Sequence, residues 1–110
     1  MAYEIEYYSE KVMEEIAALP KKLAARYLRL AERMVIYGPD LGMPHTRAMK
    51  GGLFELRIKG EEGIARALYC TVVGGRIVIL HCFIKKTDRT PRAELEIARR
   101  RMKEVCHEKP

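Results

Sequence analysis

The sequence has few cysteines and lacks any apolar run long enough to cross a bilayer. The longest such stretches, for example "IVILHCFI", fall well short of the about 20 residues that a spanning helix needs. The start of the chain, "MAYEIEYYSEK", lacks the basic and then apolar order of a signal peptide. Cys70, Cys82 and Cys106 are an odd, widely spaced set, which argues against a disulfide framework. We therefore expect a cytoplasmic protein that does not associate with membranes.

Signals for metal and nucleotide sites are missing as well. The cysteines and histidines show no C-x₂-C or H-x₃-H spacing, and the chain contains no P-loop, GxGxxG or GxSxG motif. No internal repeat or low-complexity segment interrupts the 110 residues. This length suits one domain over residues 1–110. We predict a single domain without a metal site or another cofactor.

Positive charge is concentrated in the second half of the chain. The net charge is +6, and residues 51–110 hold thirteen Lys/Arg against eight Asp/Glu, whereas residues 1–50 hold eight against seven. An excess of this kind favours a polyanionic partner, nucleic acid before others.

The pattern of apolar residues predicts the order βααβββα. A strand "YEIEYYS" precedes a helix that Ser9 caps and that ends near Ala18, and a second helix follows from Pro20 to Gly38. After the long loop 38–52, three strands, "LFELRIK", "IARALYCTVV" and "RIVILHCFI", form a meander. Thr90 and Pro91 then begin a last helix as its N-cap and first residue. We predict an α+β fold, with a small antiparallel sheet, a helical hairpin on one face and a C-terminal helix.

Two arginines of the meander are candidate site residues. Alternation places Phe54, Leu56 and Ile58 against the hairpin and Arg57 on the opposite face, which we expect to be open. Arg66 interrupts an apolar strand, so its guanidinium needs solvent or an anion. A salt bridge from Arg66 or Arg57 to Glu55 is the structural alternative. Under the functional interpretation, Arg66→Ala shifts the thermal midpoint by only a few degrees.

Lys85 and Lys86 follow the third meander strand, beside the strand that carries Arg66. Arginine offers planar donors to phosphate, and the pKa of a lysine falls when other cations crowd it. Such a set suits RNA cleavage by the adjacent 2′-hydroxyl. Alternation sends the two lysines to opposite faces and favours Lys86 slightly as the one in the site. His81 is interpreted as a core imidazole bonded to backbone.

The segment from residue 52 to residue 102 resembles the RelE/ParE superfamily of bacterial toxins, in its HigB-like, phage-related branch. The resemblance is carried by Leu-Phe-Glu-Leu-Arg, by Arg66 with Tyr69 after it, by Phe-x-Lys-Lys-Thr, and by the Thr-Pro helix start. It implies a toxin that cleaves mRNA on the ribosome and that a partner antitoxin, of helix-turn-helix type, holds inactive. Homodimer formation stays open.

Carried over by position, the resemblance implies a set of catalytic residues: Arg57, Arg66, Lys85 and Lys86. Further candidates for RNA binding are Lys50, Lys59, His45 and Arg89. Two alternatives remain, a ParE-like gyrase inhibitor without enzymatic activity and an inactive nucleic-acid-binding module of the same fold. The clustered cations favour the nuclease, because a gyrase binder has no need of them.

Overall fold

The computed structural model describes residues 2–61, 63–85 and 89–107. Its elements in this part of the chain are β1 (Glu4–Tyr7), α1 (Glu10–Ala17), α2 (Lys21–Tyr37), β2 (Thr46–Ala48), β3 (Phe54–Gly60), β4 (Gly63–Val72), β5 (Arg76–Lys85) and α3 (Arg92–His107). All the elements predicted from the sequence are present. The short strand β2 is additional and lies inside the segment predicted to be a loop, where three residues are too few to show a period.

The strands form one sheet in the order β1-β5-β4-β3-β2. The α+β class is confirmed, as is the meander of β3, β4 and β5. The sheet is nevertheless mixed and not antiparallel throughout, because β1 pairs with β5 in parallel. The connection between these two parallel strands is long, because α1, α2, β2, β3 and β4 all lie between them in the chain.

The helical hairpin of α1 and α2 covers one face of the sheet. The side chain of Ser9 caps α1, as predicted, by accepting a hydrogen bond from Val12 N at 3.3 Å. The apolar stripe of α2 is buried, and it packs on residues of the sheet such as Leu56, Ile58 and Ile79. Burial of this shared apolar surface holds the hairpin on the sheet.

Helix α3 covers part of the opposite face, which corrects the expectation that this face is open. Its Ala98 is buried with Leu68, Leu80 and Cys70 of the sheet, and Leu95, Met102 and Val105 pack beside them. Arg101 Nη1 also donates to the carbonyl of Leu80 at 2.7 Å. The apolar stripe of α3 needs a partner surface, and the hairpin already occupies the other side of the sheet. None of the described helices has both the length and the apolar character that a membrane crossing demands.

A β-bulge in β5 changes which side chains face each side of the sheet. Tyr69 pairs with Ile79 and Leu68 pairs with His81, so Leu80 is an extra residue between them. Before the bulge Ile79 packs in the hairpin core, and after it Cys82 does. The odd-numbered residues of β5 beyond the bulge therefore face the same way as Leu68 and Arg66.

Candidate functional site

The register of β3, β4 and β5 places four cationic residues on one face of the sheet. Arg57 lies opposite Arg66, and Lys59 and Lys85 both lie opposite Ile64. Directly opposite residues of neighbouring strands project to the same face, so Arg57, Lys59, Arg66 and Lys85 lie on one side of the sheet and are here called the basic patch. Lys59 and Lys85 are two strand spacings apart, about 10 Å between their Cα atoms.

The carboxylate of Glu55 forms ion pairs with three arginines of this region. Its Oε1 lies 3.2 Å from Arg47 Nη2 and 3.8 Å from Arg57 Nε, and its Oε2 lies 3.5 Å from Arg66 Nε. The hydroxyl of Thr90 donates to the same Oε2. The side chains of Glu55 and Arg66 are completely buried. The salt bridge of the structural alternative is thus present, and it gives Arg66 a role in the fold.

The segment before α3 explains why Arg66 is buried. Arg66 Nη1 donates to the carbonyl of Arg89 at 3.3 Å, and Thr90 is buried at its contact with Glu55. Arg66 therefore does not reach solvent in the way its charge led us to expect. Thr90 uses its hydroxyl for Glu55 and not as the predicted N-cap, and α3 begins at Arg92.

The remaining candidates divide into those near the basic patch and those away from it. The carbonyl of His45 accepts from Arg57 N at 2.8 Å, which places the half-buried His45 beside the patch. Lys50 lies beyond the start of β3, where its carbonyl accepts from Arg99 Nη1 at 3.1 Å. From Phe54 to Lys59 the strand extends for about 17 Å, so the structure does not bring Lys50 to the patch. Lys86 lies outside the described residues.

His81 has a partner that the sequence did not reveal. Its Nε2 lies 2.5 Å from Glu94 Oε1 of α3, where a backbone partner was expected. The centroid of its ring lies 5.5 Å from that of Phe83, which is opposite Arg66 in the sheet. The pair of His81 and Glu94 therefore lies at the border of the basic patch and ties α3 to β5.

Tyr69, part of the recognised pattern, lies on the hairpin side. Its hydroxyl donates to the carbonyl of Pro39, and its ring stacks on Phe54 with centroids 5.5 Å apart. Burial raises the pKa of the Tyr69 hydroxyl well above its ordinary value. These contacts give Tyr69 a structural role on the other side of the sheet from the basic patch.

Two features of the candidate site were not predicted from the sequence. One is that Arg47 approaches Glu55, and the other is that α2 lies near the site. Arg47 lies on β2, directly opposite Glu55, and prediction of that strand would have identified it. The described residues contain no cluster of three or more His, Cys, Asp or Glu side chains suited to a metal ion.

Comparison with solved structures shows where this fold occurs. The YoeB–YefM complex from Staphylococcus aureus superposes with a TM-score of 0.57 at 22% identity, over 77% of this chain and 99% of the matched chain. The archaeal RelE–RelB complex from Pyrococcus horikoshii OT3 gives 0.56 at 22% identity, over 82% and 100%. A doubly substituted RelE from E. coli in the free state gives 0.55 at 14% identity, over 96% and 99%. At these identities the likeness concerns the fold.

Comparison with protein families gives a direct assignment. No curated protein sequence matches the chain. The family described as phage-derived protein Gp49-like matches residues 14–103, which is most of the sequence. This match and the three structures confirm the resemblance seen in residues 52–102. The chain belongs to the phage-derived Gp49-like family and has the fold of the RelE and YoeB toxins.

Proposed function

We propose that the protein is the toxin of a type II toxin–antitoxin system and cleaves mRNA on the ribosome. The observation that carries this proposal is the alignment of Arg57, Lys59, Arg66 and Lys85 on one sheet face. Clustered guanidinium and ammonium groups bind phosphate oxygens and stabilise the charge that develops on a phosphorane. The RelE/YoeB fold and the Gp49-like family supply independent support.

The proposed reaction uses the RNA's own 2′-hydroxyl as nucleophile. The neutral amine of Lys85 accepts the 2′-proton and becomes an ammonium group, the 2′-oxygen forms a bond to phosphorus, and the bond from phosphorus to the 5′-oxygen breaks. The departing 5′-oxygen takes a proton from solvent. Arg57 holds the non-bridging oxygens, the buried Arg66 adds positive charge beneath them, and Glu55 fixes the direction of both guanidiniums.

A protein antitoxin is the proposed partner that keeps this activity in check. Two of the structures with the same fold are complexes of a toxin with its antitoxin, YoeB with YefM and RelE with RelB. The positive charge of this chain gives an acidic segment of an antitoxin a surface to bind.

The test is expression of the chain without a partner, followed by mapping of mRNA 5′ ends with translation active and with translation blocked. New 5′ ends that appear only on translated mRNA support the proposal. Lys85→Ala should abolish these 5′ ends. Lys103 is an exposed residue of α3, and Lys103→Ala should leave the 5′ ends unchanged. Growth arrest with intact mRNA and altered DNA supercoiling would contradict the nuclease and favour a gyrase inhibitor. RNA binding without cleavage or arrest would favour the inactive module.

A further inference from the structure

A second concentration of positive charge lies between α2 and the edge of β3. A cavity of about 440 Å³ opens there, and it is here called the α2 groove; its polar lining is formed by Arg26, Arg29, Arg33, His45, Arg57 and Lys59. Four arginines and one lysine belong to this lining. Among the described residues, neither Asp nor Glu does. A concave site with cations alone concentrates positive potential.

The groove follows from the positions of α2 and β2. Arg26, Arg29 and Arg33 recur at helical spacing on one exposed side of α2, beside the buried Leu30. Strand β2 pairs with β3 only from Phe54 to Leu56, so the rest of the β3 edge borders the groove. At this edge Arg26 Nη1 donates to the carbonyl of Lys59.

We propose that the α2 groove binds the sugar-phosphate backbone of RNA, as a docking site next to the basic patch. This inference rests on the proposed function, because Arg57 and Lys59 belong to both surfaces. An RNA strand held at the patch passes around the β3 edge at Arg57 and Lys59 into the groove, where the guanidiniums of α2 meet its neighbouring phosphates. The imidazole of His45 supplies a flat ring at the junction for stacking on a base.

The contacts at the β3 edge favour RNA over an acidic peptide as the occupant. A peptide that binds by strand addition needs the backbone groups of the edge strand. Here Arg26 already occupies the carbonyl of Lys59, and Arg57 N is bonded to His45. The surface left in the groove is formed by side chains, which suits a ligand recognised through its charge.

The test measures binding of a short fluorescent 2′-O-methyl oligouridylate between about 50 and 200 mM salt. This probe has no free 2′-hydroxyl and is not cleaved by the proposed reaction, so binding is measured independently of the nuclease. Arg29→Gln with Arg33→Gln should raise Kd about tenfold and reduce the log–log salt slope by about 1.4, for two lost phosphate contacts. Replacing both by Lys should retain most of the binding.

The matched control is Arg100→Gln with Lys103→Gln, two exposed residues of α3. The same helix contacts Tyr8, whose hydroxyl donates to Glu104 at 2.5 Å, and Tyr8 adjoins β1 at the sheet edge opposite β2. This control removes the same two positive charges from another part of the surface. Its salt slope should differ from the wild-type slope only by the small effect of the lower net charge.

Two results would overturn the inference. One is equal binding of the oligouridylate by the wild type and the α2 variant. The other is an oligoglutamate peptide whose binding depends on Arg29 and Arg33 while RNA binding does not, which would make the groove a protein-docking surface. Intact mRNA together with groove-dependent RNA binding would instead refute the nuclease and leave the docking site standing.

Discussion

Arg57 and Arg66 lie directly opposite each other on β3 and β4, and both guanidiniums approach the carboxylate of Glu55. Two like charges at opposed positions destabilise a sheet unless an opposite charge separates them. Glu55 supplies that charge from the same face, and Arg47 approaches its Oε1 as well. A single buried carboxylate thus allows the sheet to hold several cations close together, which is the arrangement that phosphate binding requires.

Glu55→Gln should lower both stability and activity. The substitution keeps the shape of the side chain but removes the negative charge between buried cations. Loss of one partner of a buried ion pair costs about 3 kcal/mol. For a domain of this size we expect the thermal midpoint to fall by about 10 °C or more. Differential scanning calorimetry measures the shift, with Glu14→Gln on the exposed side of α1 as control. Equal midpoints for both variants would contradict the role assigned to Glu55.

Arg66→Ala should also destabilise the protein, in contrast to the small effect expected from the sequence. Arg66 is fully buried, and its removal takes one partner from Glu55 and one donor from the carbonyl of Arg89. We expect a loss of about 3 kcal/mol in urea unfolding, against almost none for Arg100→Ala. Cleavage should be lost at temperatures where the variant is still folded. A folded and active Arg66→Ala protein would exclude Arg66 from the site.

Lys85→Arg separates charge from proton transfer. Arginine keeps the positive charge but does not readily release a proton. Since the register places Lys85 on the face of Arg57 and Arg66, we expect this variant to bind RNA normally and to cleave about 100-fold more slowly. Lys86→Arg is the neighbouring control and should cleave at the normal rate. If both variants cleave normally, neither lysine is the base and the pair acts through charge alone.

The three cysteines should differ sharply in reactivity. Burial raises the pKa of the Cys82 thiol to about 12 and that of Cys70 to about 11, whereas Cys106 is exposed. Only a thiolate attacks a disulfide reagent rapidly, so the native protein should release one equivalent of thionitrobenzoate quickly near neutral pH. Cys106→Ser should remove this fast phase. All three thiols should react in denaturant. A fast phase that persists without Cys106 would contradict the burial of the other two.

Stability should decline in alkaline solution. The thiols of Cys70 and Cys82 have folded-state pKa values above their ordinary value of 9.0, so the unfolded chain loses these protons first. Their contribution is complete below pH 9.0 and is lost as the pH rises through about 11 and about 12. Urea unfolding at increasing pH measures the decline, and it should be less steep in Cys82→Ala. An equal slope in that variant would assign the decline to other groups.

The elements of this protein follow from short-range information in the sequence. Ser9 caps α1 because a side-chain oxygen accepts from a backbone N–H within the same turn. The stripe of Leu23, Tyr27 and Leu30 makes one apolar side of α2, and Gly74 with Gly75 permits the tight turn between β4 and β5. The motifs in residues 52–102 were also sufficient to indicate the toxin fold.

The arrangement of the candidate site was decided by tertiary structure. Alternation could not assign Lys85 to a face, because the extra residue Leu80 reverses the phase within β5. The burial of Arg66 depends on residues 89 and 90, more than twenty positions away, and the parallel pairing of β1 depends on β5, where its partners begin at Arg76. The groove arises where α2 meets the edge of β3. Local propensities determine which segments form helices and strands, whereas register, burial and the pairing of charges depend on contacts between residues that are distant in sequence.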